Sequence, residues 1–131
     1  MTADPLTLSP EDSLMEALQT MRLRKIRRVP IVAGGKLVGL ITEGDLKRAE
    51  PSTLTDTQEQ FTEVMESTLL SRIMIENLIT TTPDAPLKEA ARTLWNSKYG
   101  ALPVLEGEKL VGILTDNDLL GVLVELLDRE A

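Results

Sequence analysis

Apolar positions along this chain follow two rhythms, and the same succession of rhythms is read twice. Leu6-Thr7-Leu8 is a short extended piece closed by Ser9-Pro10. Leu14, Ala17, Leu18 and Met21 then recur at helical spacing and give one apolar face. Ser13 with Glu16 three residues on has the pattern in which each side chain satisfies a free backbone N–H of the first turn. The helix runs into a basic segment, Arg22 to Arg28. Val29 to Val32 reads as a buried strand, Ala33-Gly34-Gly35 as a turn and Lys36 to Thr42 as a second strand, together a hairpin. Pro30 suggests that the first strand begins at an edge or just before regular pairing. Glu43-Gly44-Asp45 opens a second helix that Pro51 stops.

From Pro51 to Thr62 the residues are polar and carry no apolar period, which predicts a linker or loop. Phe61, Val64, Met65, Leu69 and Leu70 predict an amphipathic helix over about 63–75. The earlier order then returns. Leu78 to Thr81 is extended, and Pro86 lies near the start of a helix whose buried face is Leu87, Ala90, Ala91, Leu94 and Trp95. Leu102 to Leu105 and Lys109 to Thr115 are two strands joined by Glu106-Gly107-Glu108. Asp116 to about Arg129 closes the chain as a helix with Leu119, Leu120, Leu123 and Leu126 or Leu127 on its apolar face.

The recurrence is a duplication without gaps. Pro30 and Pro103 lie 73 positions apart, as do Asp45 and Asp118, Thr7 and Thr80, and Thr42 and Thr115. Lys36-Leu37-Val38-Gly39 falls on Lys109-Leu110-Val111-Gly112 under the same shift. Each copy reads β–α–β–β–α and is too short to bury a stable core alone, so the two are expected to pack together. The expected organisation is a first repeat over 1–50, a linker over 51–62, and a second repeat with its lead-in helix over 63–131. Met1 aligns with Met74, so the first copy lacks that lead-in helix; the expectation is a chain trimmed at its start from a longer protein, the alternative a neighbouring subunit that covers that surface.

Composition narrows the chemistry. The sequence has 131 residues, 42% hydrophobic but only 2% aromatic, so the core is aliphatic. It holds no cysteine and no histidine, which removes disulfides, the usual zinc sites, imidazole switching and nucleophile systems that need either residue. A formal net charge of −7 argues against nucleic acid as a partner, since neutralising phosphates needs clustered cations. There is no apolar run long enough to span a membrane and no signal-peptide pattern, so a cytoplasmic setting is the default.

The duplicated motifs resemble a tandem pair of CBS domains. The residues that carry the resemblance are Thr-x-x-Pro at Thr7/Pro10 and Thr80/Pro83, and the strand prolines Pro30 and Pro103. With them stands a glycine, two apolar residues, then Thr-x-x-Asp, at Gly39/Thr42/Asp45 and Gly112/Thr115/Asp118. The resemblance implies an α+β fold in which the two repeats pack sheet to sheet about a pseudo-twofold axis, with two clefts between them. It further implies a homodimer of such pairs and a regulatory role without chemistry of its own. The implied ligand is an adenosine compound, AMP, ADP, ATP or S-adenosylmethionine, and no cofactor is required.

The residues themselves support that reading. Thr115 and Asp118 sit where a buried strand turns into a helix, whose free N–H groups and dipole favour anions. The Thr115 hydroxyl can donate to a phosphate oxygen, and the two Asp118 oxygens suit the paired hydroxyls of a ribose. By the resemblance, Gly100, Ala101, Leu102 and Pro103 read the adenine edge, and Ile79 and Thr80 supply another wall. In the first copy the same roles fall to Leu6, Thr7, Arg28, Pro30, Thr42 and Asp45. Thr and Asp at such a junction also make an ordinary helix cap. Capping explains one such pair, two sets in one register favour a ligand, and the roles are compatible.

The copies differ where Arg27-Arg28 replace Gly100-Ala101. The arginines can crowd the slot, bind phosphate, or simply end a helix in solvent. Unequal occupancy follows, with the Asp118 cleft as the base-binding one. Trp95 is expected in the core, and Lys98 and Tyr99 near the slot. The alternative function is a structural dimerisation module with closed clefts. An enzyme is not expected, because there is no phosphate-cradling glycine loop and no cluster of acids in metal-ligand order.

Overall fold

The computed structural model describes residues 2–52 and 57–130. Residues 53–56 of the expected 51–62 linker lie outside the described residues. The described chain forms two compact units, one of Leu6–Leu78, the other of Met1–Pro5 with Ile79–Ala131.

In the first unit, helix α1 spans Leu14–Arg24. Ser13 Oγ accepts the Glu16 N–H at 3.2 Å, and the Glu16 carboxylate meets the Ser13 hydroxyl instead of the backbone. Lys25, at φ 55°, ends the helix in a left-handed turn. Strands β2 (Arg28–Ala33) and β3 (Lys36–Thr42) pair antiparallel, with a bulge between Ile31 and Val32. Pro30 lies inside β2 and pairs with Leu40, and its carbonyl accepts the Leu8 N–H on the other side at 3.1 Å. Helix α2, Glu43–Ala49, follows β3 without a loop. Leu14, Ala17, Met21, Val29, Ile31, Ile41 and Leu46 close on one another with Met65 and Leu70 as the aliphatic core. Each fully buried side chain of this size contributes about 2 kcal/mol by leaving water.

The expected helix over 63–75 is instead helix α3, Gln58–Ser67, followed by a separate 3₁₀ turn at Leu70–Arg72. Thr57 caps α3 by accepting the Gln60 N–H at 3.1 Å, which draws its start forward into the polar stretch. After α3 the backbone is stitched to the start of α1: Leu14 N–H donates to Thr68 and Leu70 N–H to Asp12. Ile75 then lies against the free edge of β3, exchanging both backbone hydrogen bonds with Leu40.

The second unit repeats this plan with its own chain ends. Helix α4 is Leu87–Trp95, strands β4 and β5 are Ala101–Glu106 and Lys109–Thr115, and helix α5 is Asp116–Glu130. The edge of β5 is covered by strand β1, Thr2–Ala3, in the register Thr2 with Ile113 and Ala3 with Gly112. Thr81 lies parallel to Val104 as Leu8 lies parallel to Ile31, and the bulge recurs between Val104 and Leu105. Ala90, Leu94, Leu102, Val104 and Leu114 form the core of this unit. Trp95 is not part of it: the side chain is 88% exposed at the last turn of α4, and Leu87 at the first turn is exposed too. No residue of α5 is buried, and Leu120, Leu123, Val124, Leu126 and Leu127 are all exposed. The fold is α+β, with two small antiparallel sheets flanked by helices.

Candidate functional site

Each strand-to-helix junction is built by a threonine that ends the strand and an aspartate in the first turn of the helix. At the first, the Thr42 N–H donates to Asp45 Oδ2 at 3.0 Å and the Asp45 N–H donates to Thr42 Oγ1 at 3.1 Å. At the second, the Thr115 N–H donates to Asp118 Oδ2 at 2.9 Å and the Asp118 N–H donates to Thr115 Oγ1 at 3.3 Å. The capping role read from the sequence is therefore present in both copies, and it holds each carboxylate in a fixed place.

What remains free differs. Asp45 Oδ2 also accepts the Thr42 hydroxyl at 2.8 Å, and Asp45 Oδ1 accepts Arg48 Nη2 at 2.5 Å. Among the described residues Asp118 Oδ1 has no such partner and the Thr115 hydroxyl has no acceptor. Glu43 holds two further cations at the first junction, Lys47 at 3.0 Å and Arg27 at 3.7 Å. The Lys47 hydrogen bond and charge hold the Glu43 carboxyl below its ordinary value, with a smaller contribution from Arg27. Arg27 thus neither fills a slot nor stands free; it is an exposed partner of Glu43.

The remaining candidates of the second unit gather at the same end of its sheet. Ala101 is paired with Thr115, and Leu102 with Leu114. Ile79 and Thr80 are exposed and lead into Thr81, whose N–H donates to the Pro103 carbonyl at 2.9 Å. Tyr99 is brought in as well, since its hydroxyl accepts the Ile79 N–H at 3.3 Å. Gly100 has φ +62°, a conformation open to glycine at no steric cost, and its carbonyl accepts the Asp116 N–H at 3.0 Å. The carbonyls of Gly100 and Pro103 are thus engaged within the fold, and Ala101 and Leu102 are buried. In the first unit Arg28 pairs with Thr42 and Pro30 with Leu40, and Leu6 and Thr7 lead into Leu8. The left-handed residue there is Lys25, two positions earlier in the repeat than Gly100, so the two approaches to the junction have different backbones. Sequence reasoning missed Arg48. The signal was available: Asp45 and Arg48 have the i, i+3 spacing of a helical ion pair, and the same shift puts Gly121 at the matching position.

Among the described residues no group of acids is placed to hold a metal ion, and no helix is long and apolar enough to cross a membrane. The CBS-domain profile matches residues 1–52 and 70–125. A CBS domain-containing protein of Dictyostelium discoideum is 33% identical over 131 residues, covering 98% of this chain and 90% of that one. An inosine-5'-monophosphate dehydrogenase of Korarchaeum cryptofilum is 34% identical over 117 residues, but the match covers only 22% of that enzyme and 88% of this chain. A solved Vibrio cholerae structure, provisionally named an acetoin utilization protein (AcuB), aligns with a TM-score of 0.80 at 35% identity, covering 99% of this chain and 90% of that one. CBSX2 of Arabidopsis thaliana, solved in complex with AMP, aligns with a TM-score of 0.78 at 23% identity, covering 96% of this chain and 93% of that one, a likeness of fold.

Proposed function

The chain belongs to the CBS-domain family, as a tandem pair, and from that premise we propose that it is a regulatory module that binds an adenosine ligand. The observation that carries this reading is the Thr115–Asp118 junction. A half-buried carboxylate is fixed there by the Thr115 N–H, and among the described residues its other oxygen is unpaired, beside a hydroxyl whose oxygen accepts the Asp118 N–H and whose proton has no acceptor. Two acceptor oxygens on a rigid mount match a vicinal diol, and a hydroxyl donor beside a helix start suits a phosphate. Ribose would be held by Asp118 and phosphate by Thr115, with Ile79 and Thr80 exposed beside them. AMP, ADP, ATP and S-adenosylmethionine all carry that diol. Binding would regulate an attached or separate partner only as far as the ligand prefers one arrangement of the protein over another.

Titration with these four compounds, followed by thermal unfolding and calorimetry, tests the reading. A ligand at 100 times its dissociation constant adds about 2.7 kcal/mol when it binds only the folded chain. The expected outcome is stabilisation by at least one of them, lost in Asp118→Ala. Folded protein that responds to none would leave the second reading, a dimerisation module. That reading is favoured by the exposed leucines and valine of α5.

A further inference from the structure

The duplication makes position 48 of the first copy the counterpart of position 121 of the second, and the residues there are Arg48 and Gly121. Arg48 lies one helical turn beyond Asp45 and places Nη2 on its Oδ1, so the acid is occupied from both sides. Thr42 gives Oδ2 both its N–H and its hydroxyl proton. A carboxylate offers about four lone-pair sites, so three donors leave Asp45 too little to receive two ribose hydroxyls. Gly121 has no side chain with which to reach Asp118, and Thr115 gives that acid only its N–H. The acid that is closed is also the better buried of the pair with its arginine: the side chain of Asp45 is 10% exposed, that of Arg48 74%. The cation is therefore an exposed cover on a more deeply set carboxylate.

We propose that the residue at this helical position decides which of the two aspartates takes ribose. Arg48 latches Asp45, and the glycine at 121 leaves Asp118 open. This rests on the adenosine reading above and adds to it which junction is used and what closes the other. The same shift puts Arg27 opposite Gly100 and Arg28 opposite Ala101, so none of the three arginines at the first junction recurs at the second.

Gly121→Arg tests the latch directly. A side chain can begin there without a clash, since a Cβ built at Gly121 meets nothing within 4 Å. AMP is the probe, followed by calorimetry. An exposed ion pair competing for the carboxylate weakens AMP about fivefold, in keeping with up to about 1 kcal/mol for such pairs. The sign is informative, because an added cation that did not latch Asp118 would attract the anionic nucleotide and tighten it. The reciprocal arm uses Asp118→Ala, which silences the second junction. Arg48→Ala placed on it is expected to restore measurable AMP binding, now at the first junction, although it removes a cation. Lys47→Ala on the same background makes the same charge change without freeing Asp45, and is expected not to restore AMP binding. AMP binding that is lost in Asp118→Ala but unchanged or tightened by Gly121→Arg overturns the latch and leaves the adenosine reading standing. Folded native protein that takes up no AMP, ADP, ATP or S-adenosylmethionine overturns the adenosine reading, and the latch with it.

Discussion

A single methyl group is too much at Gly39. A Cβ there would stand 2.6 Å from the Met74 sulfur, 2.9 Å from its Cγ and 3.1 Å from the Ile75 carbonyl oxygen. The methionine can move, but the carbonyl cannot, because it accepts the Leu40 N–H at 3.0 Å. Gly39→Ala is expected to cost about 1–3 kcal/mol, as overpacking does, read as a lower urea midpoint with an unchanged slope. Gly121→Ala is the opposite case, an exposed helical glycine with open space around it, and is expected to gain up to about 1 kcal/mol. The glycine motif was visible in the sequence as a repeated Gly before Thr-x-x-Asp. Its reason was not visible, because the atoms that crowd Gly39 come from a segment 35 residues later. The inequality of Asp45 and Asp118 was legible from Arg27-Arg28 standing where the second copy has Gly100-Ala101, whereas the arginine that meets Asp45, Arg48, lies three residues beyond the repeated motif.

At the scale of elements, the two central strands were the most legible part. Lys36–Thr42 and Lys109–Thr115 begin and end where their apolar runs and turn glycines predict. Helices were harder to place. The start of α3 is set by Thr57 and Gln60, polar residues that add nothing to an apolar period, and of its side chains only Met65 is buried. Periodicity put Trp95 on a buried face, but it is the last residue of α4 and is exposed, as Leu87 is at the first turn, so at the ends of this helix the period does not tell inside from outside. Helix α2 is short, and its exposed face carries an ion pair that pH can address. Glu43 titrates below 4.5 in the folded chain because Lys47 donates to it, with Arg27 adding to the field. A carboxylate whose folded value is depressed stabilises the fold above its unfolded value and stops doing so as pH falls through the folded one. Lys47→Ala is therefore expected to move the Glu43 midpoint up toward 4.5, followed by carboxyl carbon shifts in an acid titration. An unchanged midpoint would mean that the pair is not formed in solution. With Lys47 exposed and Glu43 half-exposed, solvent screens the pair and keeps its effect on stability small.

Across the whole molecule, the duplication predicted two similar units but not which residues complete them. Each sheet takes its edge cover from the segment that precedes the other repeat: Thr2–Ala3 covers β5, and Ile75 covers β3. These contacts obey the shift of the duplication, yet a periodic pattern names an element and never its partner, so the units seen here could not be read from it. The same limit applies to α5. Of the apolar face expected there, Leu119 packs against the core of the second unit, while Leu120, Leu123, Leu126 and Leu127, with Val124 beside them, reach solvent. A contiguous apolar helix face of this kind, exposed to solvent, marks a surface that meets something. We propose a second copy of this chain as that partner, as the family resemblance implies. Leu123 and Leu127 lie one turn apart on α5, so glutamates at both place charge in the middle of such a face. Sedimentation of the native chain at micromolar concentration is expected to give a dimer, and of Leu123→Glu/Leu127→Glu a monomer. Because both positions are exposed, the double variant should unfold within about 0.5 kcal/mol of the native chain per site once dimer linkage is taken into account. A native chain that sediments as a monomer would transfer this face to a different protein. A double variant that stays dimeric would place the dimer contact elsewhere on the surface.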